Sequence, residues 1–141
     1  MRDMKNDCIF CKIAAGEIPS ACIYEDDDFK AFLDISPAVK GHVIIIPKKH
    51  ADNLFDLSEE EASKIFVIAS NIGKAIKEEL NCDGLNVLQN NGEIAGQTVF
   101  HFHMHLIPRF KNDNVKITWN STEYDKNEME QLKDAIKCKL A

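Results

Sequence analysis

His101-Phe102-His103-Met104-His105-Leu106-Ile107 sets three of the chain's five histidines at alternate positions in an otherwise apolar run. In extended backbone successive side chains point to opposite faces. The run therefore reads as a strand carrying His101, His103 and His105 on one face, about 6.6 Å between neighbours. Phe100, Phe102, Met104 and Leu106 then share the other face, which is apolar enough to be pinned against a core and to hold the imidazoles in register. A single strand histidine is commonly a hydrogen-bonded structural residue, but three alternating with large hydrophobes are not explained that way. Imidazole titrates near neutrality, ligates metals through a neutral nitrogen, and serves as acid, base or nucleophile, so the row points to chemistry.

Working outward, Gly96-Gln97-Thr98 leads into the row with small and polar residues, the kind of loop whose amides can approach an anion and stabilise a phosphoryl transition state. Residues 85–89 alternate as a strand, and Asn90-Asn91-Gly92-Glu93 turns the chain. His42-Val43-Ile44-Ile45-Ile46, a β-branched run between Gly41 and Pro47, reads as a buried central strand. Ser58 before Glu59-Glu60-Glu61 is an N-cap with a capping-box glutamate, opening a long helix to about Leu80. Its apolar face is Ala62, Ile65, Phe66, Ala69, Ile72, Gly73 and Ile76. Residues 9–15 suit a short helix closed by Gly16, and residues 22–25 and 29–33 suit a hairpin. The acidic run Glu25-Asp26-Asp27-Asp28 lacks the spaced ligands and glycine of a calcium loop and reads as that hairpin's solvated tip. After a polar stretch over 111–122, Tyr124, Met129, Leu132, Ile136 and Leu140 form an imperfect helical stripe that caps the domain or meets a second subunit.

At 141 residues the chain has the length of one domain, read as 1–141 with its core at about 8–110 and a partly helical extension over 111–141. Hydrophobic residues at 45% and charged residues at 28% are the mix of an ordinary globular protein. No apolar stretch reaches the ~20 residues of a spanning helix, and the polar N-terminal residues hold no signal-peptide core, so the expected location is the cytoplasm. The net charge of −6, with no basic stripe, argues against long nucleic acid as partner and leaves room for a small nucleotide. Of five cysteines, Cys22, Cys82 and Cys138 have no companion motif and are taken as structural, which suits a reducing compartment.

The other two form Cys8-Ile9-Phe10-Cys11. Tetrahedral zinc needs two further N or S ligands, and Cys8, Cys11, His50 and His101 make a chemically sensible set. Spacing alone leaves a redox pair or two incidental thiols equally open.

Taken in order, these segments resemble the histidine triad (HIT) family, whose signature of histidines alternating with apolar residues is matched throughout 101–107, with Gly96-Gln97-Thr98-Val99 at its lead-in. Cys8-Ile9-Phe10-Cys11-Lys12-Ile13, Gly16-Glu17-Ile18-Pro19, Phe32-Leu33-Asp34-Ile35-Ser36-Pro37 and residues 41–50 are similar to its Hint branch. The resemblance implies an α+β fold: an antiparallel sheet of about five strands per subunit, one long and one or two shorter helices, and a homodimer that joins the sheets. It also implies a hydrolase or transferase acting at the α-phosphate of purine nucleoside 5′-phosphate derivatives, such as phosphoramidates or acyl-adenylates, through a covalent nucleotidyl-histidine. A dinucleoside polyphosphate hydrolase and a zinc-stabilised nucleotide-binding module stay open beside that reading. By the same resemblance His103 is the nucleophile, His105 contacts the phosphate and handles protons, and His42 orients the row. Gln97 and Thr98 stand near the phosphate and leaving group and Asn90 on the phosphate side. Asp34 holds the ribose hydroxyls, and Phe10, Ile13, Ile18, Phe32 and Ile35 form an apolar base cleft. Structural zinc on Cys8, Cys11, His50 and His101 is implied as well, with no organic cofactor. The chain departs from the animal Hint pattern after Trp119-Asn120-Ser121, where it runs on instead of ending near a Trp-Pro-Gly stretch.

Overall fold

The β-branched runs become strands and the capped, periodic segment becomes the long helix. The computed structural model describes residues 7–140; the polar residues 1–6 and residue 141 lie outside the described residues. In chain order the elements are α1 (Ile9–Ala14), β1 (Cys22–Glu25), β2 (Phe29–Leu33), β3 (Val43–Pro47), α2 (Glu59–Leu80), β4 (Gly84–Leu88), β5 (Met104–Arg109) and α3 (Glu128–Leu140). The strands form one five-stranded sheet, order β1-β2-β3-β5-β4, and every neighbouring pair is antiparallel. This is the α+β, five-strand antiparallel architecture expected from the sequence.

β3 is buried at all five positions because it has strands on both sides and helices over both faces. On one face Phe29, Ala31, Val43, Ile45, Phe102, Met104 and Leu106 pack with Ile65, Ile68, Ala69, Ile72 and Ile76 of α2. On the other, Phe32, Ile44 and Ile46 pack with Phe10, Cys11, Ile13 and Ala14 of α1. Register fixes these allegiances: Ala31 pairs with Ile45, Phe32 with Ile44, and Ile44 in turn with His105, which puts His105 on the α1 face.

α2 opens with the expected capping box, Ser58 Oγ accepting the Glu61 N–H at 3.1 Å while the Glu61 carboxylate accepts the Ser58 N–H at 3.4 Å. Its buried stripe is Ile65, Ile68, Ala69, Ile72, Gly73 and Ile76. Ala62 and Phe66 are exposed instead, Phe66 at 61%. The reason is rotation: Phe66 sits one step round the helix from Ile65, on the flank that faces Leu85 and Val87 of β4. Gly41 has φ +94°, and a Cβ there would lie 2.3 Å from Leu80 Cδ1, so only glycine fits the turn that leads into β3.

Three further expectations are corrected. The histidine strand was read as running from Phe100, yet β5 begins at Met104 and Phe100 is half exposed. Pairing with β3 reaches only Ile45↔Met104, and Pro47 has no N–H with which to extend the ladder. Of the cysteines outside the C-x-x-C pair, Cys82 is buried in the core, whereas Cys22 and Cys138 are exposed, Cys22 Sγ donating to the Tyr24 carbonyl at 3.4 Å. No residue of α3 is buried, so it does not cap the fold. The acidic tip is a turn, with Asp26 Oδ1 accepting the N–H groups of Asp28 at 2.8 Å and Phe29 at 2.7 Å.

Candidate active site

The four cluster residues come from three places in the chain: Cys8 caps α1 and Cys11 lies inside it, His50 follows β3, and His101 precedes β5. Their ligand atoms all lie within 4.8 Å of one another. His101 Nδ1 is 3.4 Å from both sulfurs and His50 Nδ1 is 3.3 Å from Cys11 Sγ. Tetrahedral zinc with ordinary bond lengths has S···N edges of about 3.6 Å. The outer nitrogens fit as well. His101 Nε2 donates to the Pro47 carbonyl at 2.8 Å and His50 Nε2 to Asp52 Oδ1 at 2.7 Å, so each ring carries its proton outward and its lone pair toward the thiols. The Cys11 N–H donates to Cys8 Sγ at 3.3 Å, a bond that favours thiolate. The donor set and its tautomers fit a metal such as zinc.

The same logic assigns the catalytic row. His103 Nδ1 donates to the His101 carbonyl at 2.7 Å, which leaves its Nε2 with the lone pair. That carbonyl is available because β5 starts only at Met104 and the ladder does not consume it. The Ala38 N–H donates to His42 Nδ1 at 3.0 Å, so His42 Nε2 holds a proton and donates to His105 Nδ1 at 2.8 Å. His105 is thereby left with Nε2–H as an outward donor. Asp34, His42 and His105 also cluster closely enough to suggest a second metal position, but the proton on His42 Nε2 occupies the site a metal would need. Burial lowers the pKa of His42, His103 and His105, that of His105 to about 4, so the row is neutral at pH 7.

Both catalytic-row rings open on a cleft of about 420 Å³ between α1 and the end of β2. Phe10 stands edge-on to His103, centroids 5.0 Å apart, and to Phe32 at 5.9 Å. Ile13 and Ile18 continue the apolar wall, Ile35 lies at the rim 95% exposed, and Asp34 and Thr98 add polar groups. His42 lines no part of the cleft and reaches it only by its bond to His105. Gln97, 1% exposed, accepts the Gly92 N–H and donates to the carbonyls of Asp52 and Val99, so its polar atoms brace the loop. Asn90 reaches Gly96 O at 3.5 Å, and neither residue lines the cleft. Sequence reading passed over Ser20, Leu33, Ser36, Ile44 and Val99, which also line it. It passed over Asp52 too, although His-x-Asp beside a metal histidine is a recognisable spacing.

The model of the HIT domain matches residues 15–112. The chain belongs to the HIT domain family. A HIT relative from Bacillus subtilis, called Protein hit, is 46% identical over 138 residues, 96% of this chain and 95% of the relative. The adenosine 5′-monophosphoramidase of Schizosaccharomyces pombe is 40% identical over 94% of this chain and 98% of its own length. Among solved structures, a protein of Streptococcus mutans UA159 superposes with TM-score 0.94 at 45% identity, covering 100% of this chain and 90% of that one. A zinc-bound histidine triad protein from Mycobacterium smegmatis matches at TM-score 0.74 and 36% identity over 95% of both chains.

Proposed function

We propose that this HIT protein hydrolyses nucleoside 5′-phosphoramidates or acyl-adenylates, with His103 as the nucleophile. The observation that carries the reading is the 2.7 Å bond from His103 Nδ1 to the His101 carbonyl, which leaves Nε2 unprotonated in the cleft. Attack forms an Nε2–P bond and breaks the bond from phosphorus to the leaving amine or carboxylate, which departs with the electron pair, an amine taking its proton from solvent, while His105 Nε2–H hydrogen-bonds the phosphoryl oxygens. The imidazole becomes cationic as it is phosphorylated, and the His101 carbonyl on Nδ1 stabilises that charge. Water then cleaves the Nε2–P bond, releasing nucleoside monophosphate and restoring His103. Asp34 suits the ribose hydroxyls, Phe10, Ile13, Ile18, Phe32 and Ile35 the base, and Thr98 the leaving-group end. Gln97 and Asn90 hold the loop behind it. The adenosine 5′-monophosphoramidase relative supports this substrate class.

Zinc on Cys8, Cys11, His50 and His101 would supply a cross-link between the N-terminal segment and the catalytic strand, and the zinc-bound relative supports that metal. A homodimer fits the exposed groove of about 470 Å³ between α2 and β4, lined by Phe66, Gly73, Leu85 and Val87 beside an open strand edge. Among the described residues no helix is long and apolar enough to cross a membrane, and the cytoplasm remains the proposed location.

The test is kcat/KM for adenosine 5′-phosphoramidate and for diadenosine tetraphosphate, side by side, in the parent protein and in His103→Ala. The expected result is preference for the phosphoramidate, with turnover lost and AMP binding kept in the variant. Turnover retained by His103→Ala would remove the assigned nucleophile, and preference for the tetraphosphate would change the substrate class.

A further inference from the structure

Cys8 and Cys11 are buried thiols that the proposed reaction does not use, and their placement suits a chemistry besides metal binding. Cys8 caps α1 and Cys11 lies in its first turn, so their Cα atoms stand three steps apart on one helix, about 5 Å. Disulfides span Cα separations of about 4.4–6.8 Å. The Cys11 N–H donates to Cys8 Sγ at 3.3 Å across that turn, and His101 Nδ1 is 3.4 Å from both sulfurs, so the two side chains converge on one spot. The helix spacing therefore admits an S–S bond of about 2.05 Å by rotation of the two side chains.

The two thiols are not equally placed. Cys11 is fully buried, whereas Cys8 borders a surface recess of about 370 Å³ that it shares with Ile9, His50, Thr98 and Phe100. A small oxidant arrives from the Cys8 side, and Cys11 stands behind it as the second sulfur. The other three cysteines offer no comparable pair, since Cys82 is buried in the core and Cys22 and Cys138 are exposed. Metal and oxidant compete for the same lone pairs. A thiolate bonded to zinc has its electrons engaged, and a sulfur in a disulfide is no longer a thiolate ligand.

We propose that Cys8 and Cys11 close to a reversible disulfide, made by a peroxide when no metal holds them, so that the cluster takes either a metal ion or a two-electron oxidation. The inference rests on the metal reading of the cluster for the competition alone and is independent of the hydrolase reading. The Cys8 thiolate attacks one oxygen of hydrogen peroxide; an S–O bond forms, the O–O bond breaks and hydroxide leaves. The Cys11 thiolate then attacks the Cys8 sulfur; an S–S bond forms, the S–O bond breaks and a second hydroxide leaves. Two electrons pass from the sulfurs to the peroxide, and the hydroxides become water by taking up two protons. A thiol reductant reverses the oxidation by exchange. His50 stays fixed by Asp52 and His101 by the Pro47 carbonyl, so the reduced site is ready to take metal again.

Trypsin cuts after Lys5 and Lys12, which puts both cysteines in one peptide, residues 6–12, apart from the other three. The whole protein, stripped of metal by a chelator or loaded with zinc, is treated with equimolar hydrogen peroxide and its peptides are weighed. In the stripped protein the 6–12 peptide is expected to lose two hydrogens and to regain them with dithiothreitol. The oxidised form is expected to bind no zinc until it is reduced, and the zinc-loaded protein to keep the peptide reduced at the same dose. A disulfide among Cys22, Cys82 and Cys138 with the 6–12 peptide left reduced, or oxidation of that peptide only to sulfinic acid, would overturn the pair. Stoichiometric zinc on the disulfide form, or equal oxidation of the stripped and zinc-loaded proteins, would overturn the competition. A closed 6–12 disulfide in a protein that takes up no zinc in either state would sink the metal reading and leave the redox pair standing.

Discussion

In the proposed reaction His42 works from outside the cleft. Its Nδ1 is held by the Ala38 amide and its Nε2 points at His105, so a backbone N–H two residues past Ser36 decides which nitrogen of His105 faces the phosphate. Burial is the leading cause of the lowered pKa at His42, His103 and His105, with His105 at about 4. Free imidazole protonates near 6.5, so below about 6.5 the unfolded chain binds protons that the folded row refuses, down to about 4 at His105. The row's contribution to stability is complete above 6.5 and is lost as pH falls through the folded values. The urea midpoint is therefore expected to drop as pH falls below 7, while the acid limb of kcat/KM lies below 6.5. An acid limb centred at 6.5 would show that the row titrates as if solvated.

At the scale of elements, α1 is a wall shared by two sites. Cys8 and Cys11 face the metal cluster while Phe10, between them, stands edge-on to both His101, at 6.0 Å, and His103, at 5.0 Å. A six-residue helix has little stability of its own, so the cluster and the Lys30 ammonium on the Ile13 carbonyl, at 3.0 Å, hold it on the sheet. Cys11→Ser is expected to abolish stoichiometric zinc by elemental analysis and to lower Tm by about 5 °C or more. Undiminished zinc and Tm would assign the cluster no structural part. The alternating pattern made the sides of the sheet legible, since Phe102, Met104 and Leu106 face α2 and the histidines face α1. Where β5 begins was not legible, because it depends on which residue of β3 stands opposite and on Pro47 lacking an N–H. Cys8, Cys11, His50 and His101 were readable as a set from residue type and the family pattern. Their tautomers needed the folded neighbours that sequence separation hides.

On the scale of the whole molecule, part of the exposed apolar surface gathers at the α2–β4 groove, where Phe66 and Val87 are about half or more exposed, and Met129, Leu132 and Ile136 of α3 are exposed as well. Arg109 anchors the chain as it leaves the sheet, pairing with Asp113 at 2.7 Å and with the Val115 carbonyl at 2.6 Å, so the path toward α3 starts from a fixed point. A second copy is the proposed cover for the groove, and sedimentation is expected to give twice the 15.9 kDa chain mass. Val87→Lys should shift it to monomer, and a monomeric parent protein would refute the dimer. Phe66 was misassigned to the core for the same reason: periodicity reports an apolar flank and is silent on whether its own fold or another chain covers it.

His101 gives its Nδ1 to the thiols, its Nε2 to Pro47 and its carbonyl to His103. The side chain's duties can be exchanged for those of another residue, but the carbonyl belongs to the backbone and survives any substitution. A lineage could therefore surrender the cysteines and the metal ring one at a time and still present an acceptor to the nucleophile, provided something else kept that stretch of backbone in place. The acceptor held against His103 is thus the more durable inheritance and the set of two cysteines and two histidines the more dispensable one.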